Sequence, residues 1–338
     1  MTPEFISGLL HELGFAEHGE NPVIEALSGG VSSEILKVTV GSGIYCIKQA
    51  LPKLKVEKDW SVPTDRVFSE IAWLHAADRI VPGHAPRVLG VDRRAGAFVM
   101  EFLSTESHHN WKTLLVSGIV EADSGRQVAS VLGRLHAATA GDRNSEKQFS
   151  KKDNFYLLRL EPYLIEAAKQ NPDLAEELID IVQSVQKHRL ALVHGDVSPK
   201  NIFLGPEGAI FLDAECACFS DPAFDVAFLL NHMLLKSVLL PDQRDELLLV
   251  FDRIWTEYKG HVNWESSCQL EKRIVKLLPA LLLARVDGKS PVDYLSNVQG
   301  SGVRTFARDL LIHPADTLDD FVTAWSEDLD PPGWTVIE

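Results

Sequence analysis

The segment from Ala191 to Glu215 constrains this chain more than any other. Two short apolar runs, Ala191-Leu192-Val193 and Ala209-Ile210-Phe211-Leu212, read as strands. Between them lies His194-Gly195-Asp196-Val197-Ser198-Pro199-Lys200-Asn201-Ile202-Phe203-Leu204, and Asp213-Ala214-Glu215 follows the second run. Two acidic residues and one amide therefore sit at the ends of two short strands joined by a tight loop. An Asx-rich turn accounts for one such Asp. It does not account for Asp196, Asn201 and Asp213 together and in that order.

The chain changes texture on the way to this segment. Met1 to Phe15 reads as a short amphipathic helix: Thr2 caps it, Pro3 suits the first turn, Phe5, Leu9 and Leu13 share a face, and Gly14 ends it. Residues 24 to 48 predict a hairpin whose strands meet at Gly41-Ser42-Gly43, preceded by the loop Ser28-Gly29-Gly30-Val31-Ser32-Ser33. Residues 49 to 64, bracketed by Pro52 and Pro63, read as an exposed connection. Thr64 or Asp65 then caps a helix carrying Val67, Ile71 and Leu74, and two more strands follow at Val88–Val91 and Ala97–Phe102. Beyond Leu103 the periodicity is helical over Gly125–Ala140, Leu174–Leu192 and from Asp225 to about residue 325, and Asp328 to Glu338 reads as a surface tail.

Two carboxylates and an amide so placed suit phosphoryl transfer to a hydroxyl. One carboxylate accepts the proton and aims the nucleophile, while an Asn oxygen and a second carboxylate hold Mg²⁺ against nucleotide phosphates. The base precedes the metal Asn by five positions in a kinase catalytic loop, as Asp196 precedes Asn201.

On these residues the chain resembles the aminoglycoside phosphotransferase-like small-molecule kinases, a group that also contains choline, homoserine and methylthioribose kinases. The resemblance rests on His-Gly-Asp-x-x-x-x-Asn followed by a strand ending in Asp, and covers Leu27 to about Leu311. It implies an α+β, protein-kinase-like bilobal fold: a sheet-rich N-lobe over residues 1–103, a hinge at 101–103, and a mostly helical C-lobe over 104–338. ATP and Mg²⁺ are the implied cofactors and a small-molecule hydroxyl the acceptor. Asp196 becomes the base, and Asn201, Asp213 and Glu215 the metal ligands. Ser28, Gly29, Gly30, Val31 and Ser32 would lay N–H groups over the phosphates. Lys48, paired with Glu70, would hold the α- and β-phosphates, and the backbone of Glu101, Phe102 and Leu103 the adenine edge. His194 and Asp225 support the loop. Asp213-Ala214-Glu215 and the run Ile47–Pro52 with Trp60 are similar to methylthioribose kinases, which lack the loop Asn that Asn201 provides. A sugar kinase of that kind and an aminoglycoside resistance kinase are therefore both open, beside a non-catalytic nucleotide-binding module. A protein kinase fits less well. Gly195 replaces the Arg of that group, and the 12 residues from Asp213 to Asp225 leave no room for a peptide-binding loop.

Composition narrows the partners. With 33 Lys and Arg against 48 Asp and Glu, the net charge of −15 argues against nucleic acid and anionic membrane. Four cysteines in 338 residues and no secretory pattern at the N-terminus predict a cytoplasmic protein, monomeric or homodimeric. The apolar stretches Val226–Leu235 and Leu277–Leu283 are short or interrupted by Asn231 and His232. Cys216 and Cys218 read as core residues, and His108-His109 are too divergent for a metal pair. Trp111 and Lys112 suit the edge of an acceptor pocket or a surface loop. Arg285 suits a helix C-terminus or a reach into the cleft.

Overall fold

Leu36, Val38 and Val40 alternate along one strand, and that alternation decides what covers the N-terminal sheet. All three are buried, together with Ile47 and Val99, against Ile6, Leu9 and Leu10 of the first helix, α1 (Pro3–Glu12). Thr2 Oγ1 caps α1 by accepting from the Phe5 amide at 3.3 Å. The buried face is rotated from the expected one: Phe5 and Leu13 only flank it. Each of these buried aliphatic side chains contributes about 1.5–3 kcal/mol. The computed structural model describes residues 1–17, 19–27, 32–54, 60 and 62–329.

The sheet comprises β1 (Val23–Ala26), β2 (Ser33–Val40), β3 (Gly43–Ala50), β4 (Val88–Asp92) and β5 (Ala97–Glu101). Its order is β1-β2-β3-β5-β4 with antiparallel neighbours. The β2–β3 hairpin turns at Gly41, whose φ of 55° favours glycine. Helix α2 (Arg66–Ile80) lies against the other face of the sheet, where Val67, Ile71, Trp73 and Leu74 join the main core. Asp65 holds the N-cap position of α2 without a side-chain capping bond. The connection before it is packed at its ends rather than exposed, since Leu54 and Val62 are buried.

Beyond residue 103 the chain is mostly helical, and its short strands carry the segment singled out above. Ala191–Val193 pairs with Cys218–Ser220, and Ile202–Gly205 with Gly208–Phe211. The central element is the helix Pro222–Leu239, capped by the Asp221 carboxylate on the Ala223 amide at 3.0 Å. Asn231 and His232 lie within it and do not interrupt it. By length and hydropathy this helix alone, among the described residues, is suited to cross a membrane, yet 89% of its apolar window is buried inside the protein. The helices Arg244–His261, Ser267–Asp287, Asn297–Ile312 and Leu318–Leu329 complete this part. The expected tail lies outside the described residues from 330 onward.

Candidate active site

Asp196 sits in a loop held from beneath by a second aspartate. The Asp225 carboxylate, in the first turn of the helix Pro222–Leu239, accepts from the His194 amide (2.7 Å) and the Gly195 amide (2.8 Å). His194 accepts at Nδ1 from the Asp196 amide (3.2 Å), so its Nε2 donates to the Leu212 carbonyl at 3.0 Å. Burial pushes this imidazole below its usual pKa, which suits the neutral form those bonds require. The Trp73 ring of α2 meets His194 edge-on at 4.8 Å and ties the loop to the sheet-bearing part.

Gly195 adopts φ 78°. A Cβ there would lie 2.7 Å from Cys216 Cβ and 3.1 Å from Phe155 Cδ2. Gly195→Ala is therefore expected to lower stability by about 1–3 kcal/mol, the cost of overpacking, read as a lower urea midpoint. Its activity should fall more steeply than its folded fraction, because Asp196 is the next residue.

The Asp196 carboxylate is unevenly satisfied. Its Oδ2 receives Arg159 Nη2 (2.6 Å), Asn201 Nδ2 (2.7 Å) and Lys200 Nζ (3.3 Å). Its Oδ1 accepts no hydrogen bond among the described residues. Sequence reasoning missed Arg159, which comes from the π-helical run Tyr156–Ile165. Within this run Arg159 Nη1 donates to the Leu158 carbonyl at 2.5 Å and its Nε to the Gly195 carbonyl at 2.7 Å. Wide π turns of this kind recur at functional sites. The Asp196 charge holds the Lys200 ammonium above its usual range.

Across the cleft, Lys48 on β3 is buried between Glu70 of α2 (2.7 Å) and Asp213 (2.5 Å). Burial alone would push this ammonium down, but Asp213, Glu70 and Glu215 outweigh it and keep it firmly charged. Burial would likewise raise the Asp213 carboxyl, yet Lys48 and Lys200 hold it well below the usual carboxylate range. Asp213 has φ 66°, a left-handed conformation rare outside glycine that Asp tolerates better than most residues.

Glu215 is paired with Arg66, a second residue the sequence did not single out. Arg66 Nε meets Glu215 Oε2 at 2.8 Å. The rest of its guanidinium binds the carbonyls of Ser32 (2.5 Å), Leu51 (2.6 Å), Val62 (3.0 Å) and Pro63 (2.9 Å). One buried side chain thus joins Glu215 to the loop ends of the sheet. Ser28, Gly29, Gly30 and Val31 lie outside the described residues; Ser32 is buried at their end. Glu101 donates its amide to the Arg87 carbonyl (3.0 Å) and pairs its carboxylate with Arg87. Phe102 and Leu103 follow directly on β5, whose last paired residue is Glu101 opposite Tyr45.

Among the described residues, no three His, Cys, Asp or Glu side chains converge on a point that would hold an ion unaided. Three oxygens around Asp196 and Lys48 are nonetheless uncommitted among the described residues. Asn201 uses its Nδ2 on Asp196 and leaves Oδ1 without a hydrogen bond, Asp213 keeps one oxygen off Lys48, and Glu215 keeps one off Arg66. Hard oxygen donors too few to enclose a cation fit Mg²⁺, which takes part of its shell from phosphates and water.

A family model described as the phosphotransferase enzyme family matches residues 23–261. The chain belongs to this family. Methylthioribose kinase of Enterobacter sp. (strain 638) is 25% identical to the phosphotransferase, over 71% of this chain and 70% of that enzyme. Methylthioribose kinase of Yersinia pseudotuberculosis serotype O:3 (strain YPIII) is 27% identical, over 61% of this chain and 56% of that enzyme. The chain thus spans little more than half of the Yersinia relative. Ethanolamine kinase of Plasmodium vivax superposes with a TM-score of 0.56 at 13% identity, covering 97% of this chain and 88% of its own. That likeness shows the fold: the phosphotransferase is α+β and kinase-like, with an N-terminal antiparallel sheet and a mostly helical remainder.

Proposed function

We propose that this phosphotransferase moves the γ-phosphoryl group of ATP to a hydroxyl of a small molecule. The observation that carries the reading is the asymmetry of Asp196: three donors fix Oδ2 and leave Oδ1 to take the proton. As the hydroxyl oxygen bonds to the γ-phosphorus, its proton passes to Asp196 Oδ1. The bond from that phosphorus to the bridging oxygen breaks, and ADP leaves with the electron pair. Lys48, clamped by Glu70, holds the α- and β-phosphates. The buried Ser198 hydroxyl, which has no hydrogen-bond partner, is available to a phosphate oxygen in the same loop. Asn201 Oδ1, Asp213 and Glu215 would hold Mg²⁺, which neutralises phosphate charge and orients the triphosphate. The backbone of Glu101, Phe102 and Leu103 would take the adenine edge at a hinge over 101–103, with residues 1–103 on one side and 104–338 on the other.

A coupled ADP-release screen tests this reading across pentoses, methylthioribose, choline, homoserine and aminoglycosides. Release that rises with an added alcohol, and a phosphate ester in the product, are the expected results. ADP release indifferent to every alcohol would return the chain to a nucleotide-binding module.

A further inference from the structure

One face of the helix Pro222–Leu239 runs from the catalytic loop into the helical part of the protein. Asp225, Phe228, His232 and Lys236 recur along it at helical spacing. Asp225 braces the loop, and the Phe228 ring lies 5.9 Å from the Arg159 guanidinium that holds Asp196. The His232 ring follows at 5.2 Å from Phe228. Lys236 lies beyond it, 5.1 Å over the Tyr294 ring. Arg285, at the end of the helix Ser267–Asp287, closes the far side. Its Nη1 donates to Tyr163 Oη at 3.2 Å and to the Ser290 carbonyl, and Tyr163 lies beneath both Arg285 and Arg159.

This cluster is unbalanced in two ways. Three of its polar atoms, His232 Nε2, Arg285 Nε and Tyr294 Oη, are buried with no hydrogen bond among the described residues, and they gather around the largely buried Lys236. Native interiors rarely leave such groups unsatisfied, and clustered exceptions call for a ligand. The charge is also one-sided. No carboxylate among the described residues forms an ion pair with Lys236, His232 or Arg285. Burial, followed by the charges of Lys112 and Arg285, pushes the Lys236 ammonium down to about 8. Burial, followed by the charges of Arg285, Lys236, Lys200 and Arg159, pushes the His232 imidazole well below its usual range. The net charge of −15 over the whole chain makes this local excess of cations more telling.

We infer that the acceptor is an anionic hydroxy compound, whose carboxylate or phosphate is held by Lys236 and Arg285 with His232 and Tyr294 while its hydroxyl reaches Asp196. The inference rests on the phosphoryl-transfer reading and narrows it. A cationic acceptor, such as an amino sugar or a quaternary ammonium alcohol, would need carboxylates or an open aromatic cage in this place. Here it would meet two cations whose charge nothing offsets. A neutral sugar could accept hydrogen bonds from these groups but would leave their charge unbalanced.

The test measures ADP release with probes on one carbon skeleton: ribonate and ribose 5-phosphate as anions, ribose as the neutral partner, with choline and kanamycin as cations. Wild type is expected to turn over an anionic probe at least about tenfold more efficiently than ribose; ribonate against ribose 5-phosphate separates carboxylate from phosphate recognition. Lys236→Met should raise KM for the preferred anion about 10- to 100-fold, the weight of a charge-assisted hydrogen bond. The same variant should melt higher than wild type, because it removes a buried charge with no counter-charge. A higher melting temperature with an unchanged KM, or wild-type preference for ribose, choline or kanamycin, would overturn the anionic acceptor and leave the kinase reading standing. Silence toward every alcohol would overturn both.

Discussion

Asp196→Asn is expected to lower kcat by about 100- to 10,000-fold, the usual range for removing a positioned general base. Nucleotide affinity should stay close to wild type, since Asp196 makes no contact with Lys48, the ammonium proposed to hold the α- and β-phosphates, and Asn keeps an oxygen for Asn201. The choice of Asn over Ala matters. Arg159 is buried and pairs with Asp196 at 2.6 Å. Truncation to Ala would leave that buried cation without its carboxylate, at about 3–5 kcal/mol, and unfolding would then mimic loss of catalysis. An amide keeps an oxygen for Arg159 and loses the proton-accepting charge. Single-turnover kinetics and ATP titration on the folded variant check the outcome. Wild-type kcat would remove Asp196 from the chemistry, and a large loss of ATP affinity would assign it to binding instead.

The parts of this site that were legible in the sequence are those whose geometry is local. Asp196 and Asn201 share one short loop, and the strand periodicity of residues 44–48 sends Lys48 to a definite face. The Lys48–Glu70 pair was readable because only one strand and the next helix had to be arranged. Arg159 and Arg66 were not readable, for a different reason. Each finds its carboxylate across a long stretch of chain, Arg159 at Asp196 and Arg66 at Glu215, so packing alone decides the pairing. Some signal was present nonetheless. A basic residue in the first turn of a helix opposes the dipole and calls for a compensating anion, and Arg66 opens α2.

The fold was legible at the same level of locality. Alternation gave the β2–β3 hairpin its faces, and caps placed α1. The helix Pro222–Leu239 was legible from Asp225 onward, and Asn231 and His232 interrupt only its apolar run. They are tolerated because the surrounding helices seal the rest of this element, and because His232 belongs to a polar cluster of its own. Arg285 was singled out in the sequence, but its convergence with Lys236 was hidden, since the two meet only once the helices pack.

The second large effect concerns Lys48, where stability and catalysis can be separated. Lys48→Met leaves Glu70 buried and unpaired, and is expected to cost about 3–5 kcal/mol of stability, seen as a lower urea midpoint. Turnover should fall with it, because Met cannot hold phosphates. The double variant Lys48→Met with Glu70→Leu replaces the buried pair by apolar side chains of similar volume. Such replacements are commonly neutral or stabilising, so the urea midpoint should return to near the wild-type value. Asp213 also loses Lys48 in both variants, but its side chain is 26% exposed and water can solvate it. Turnover should not return, since the phosphate-holding ammonium is still missing. Recovery of activity together with stability would show that Lys48 acts only through the fold. Stability restored without activity would place the ammonium on the nucleotide, where an acidic protein must concentrate what positive charge it has.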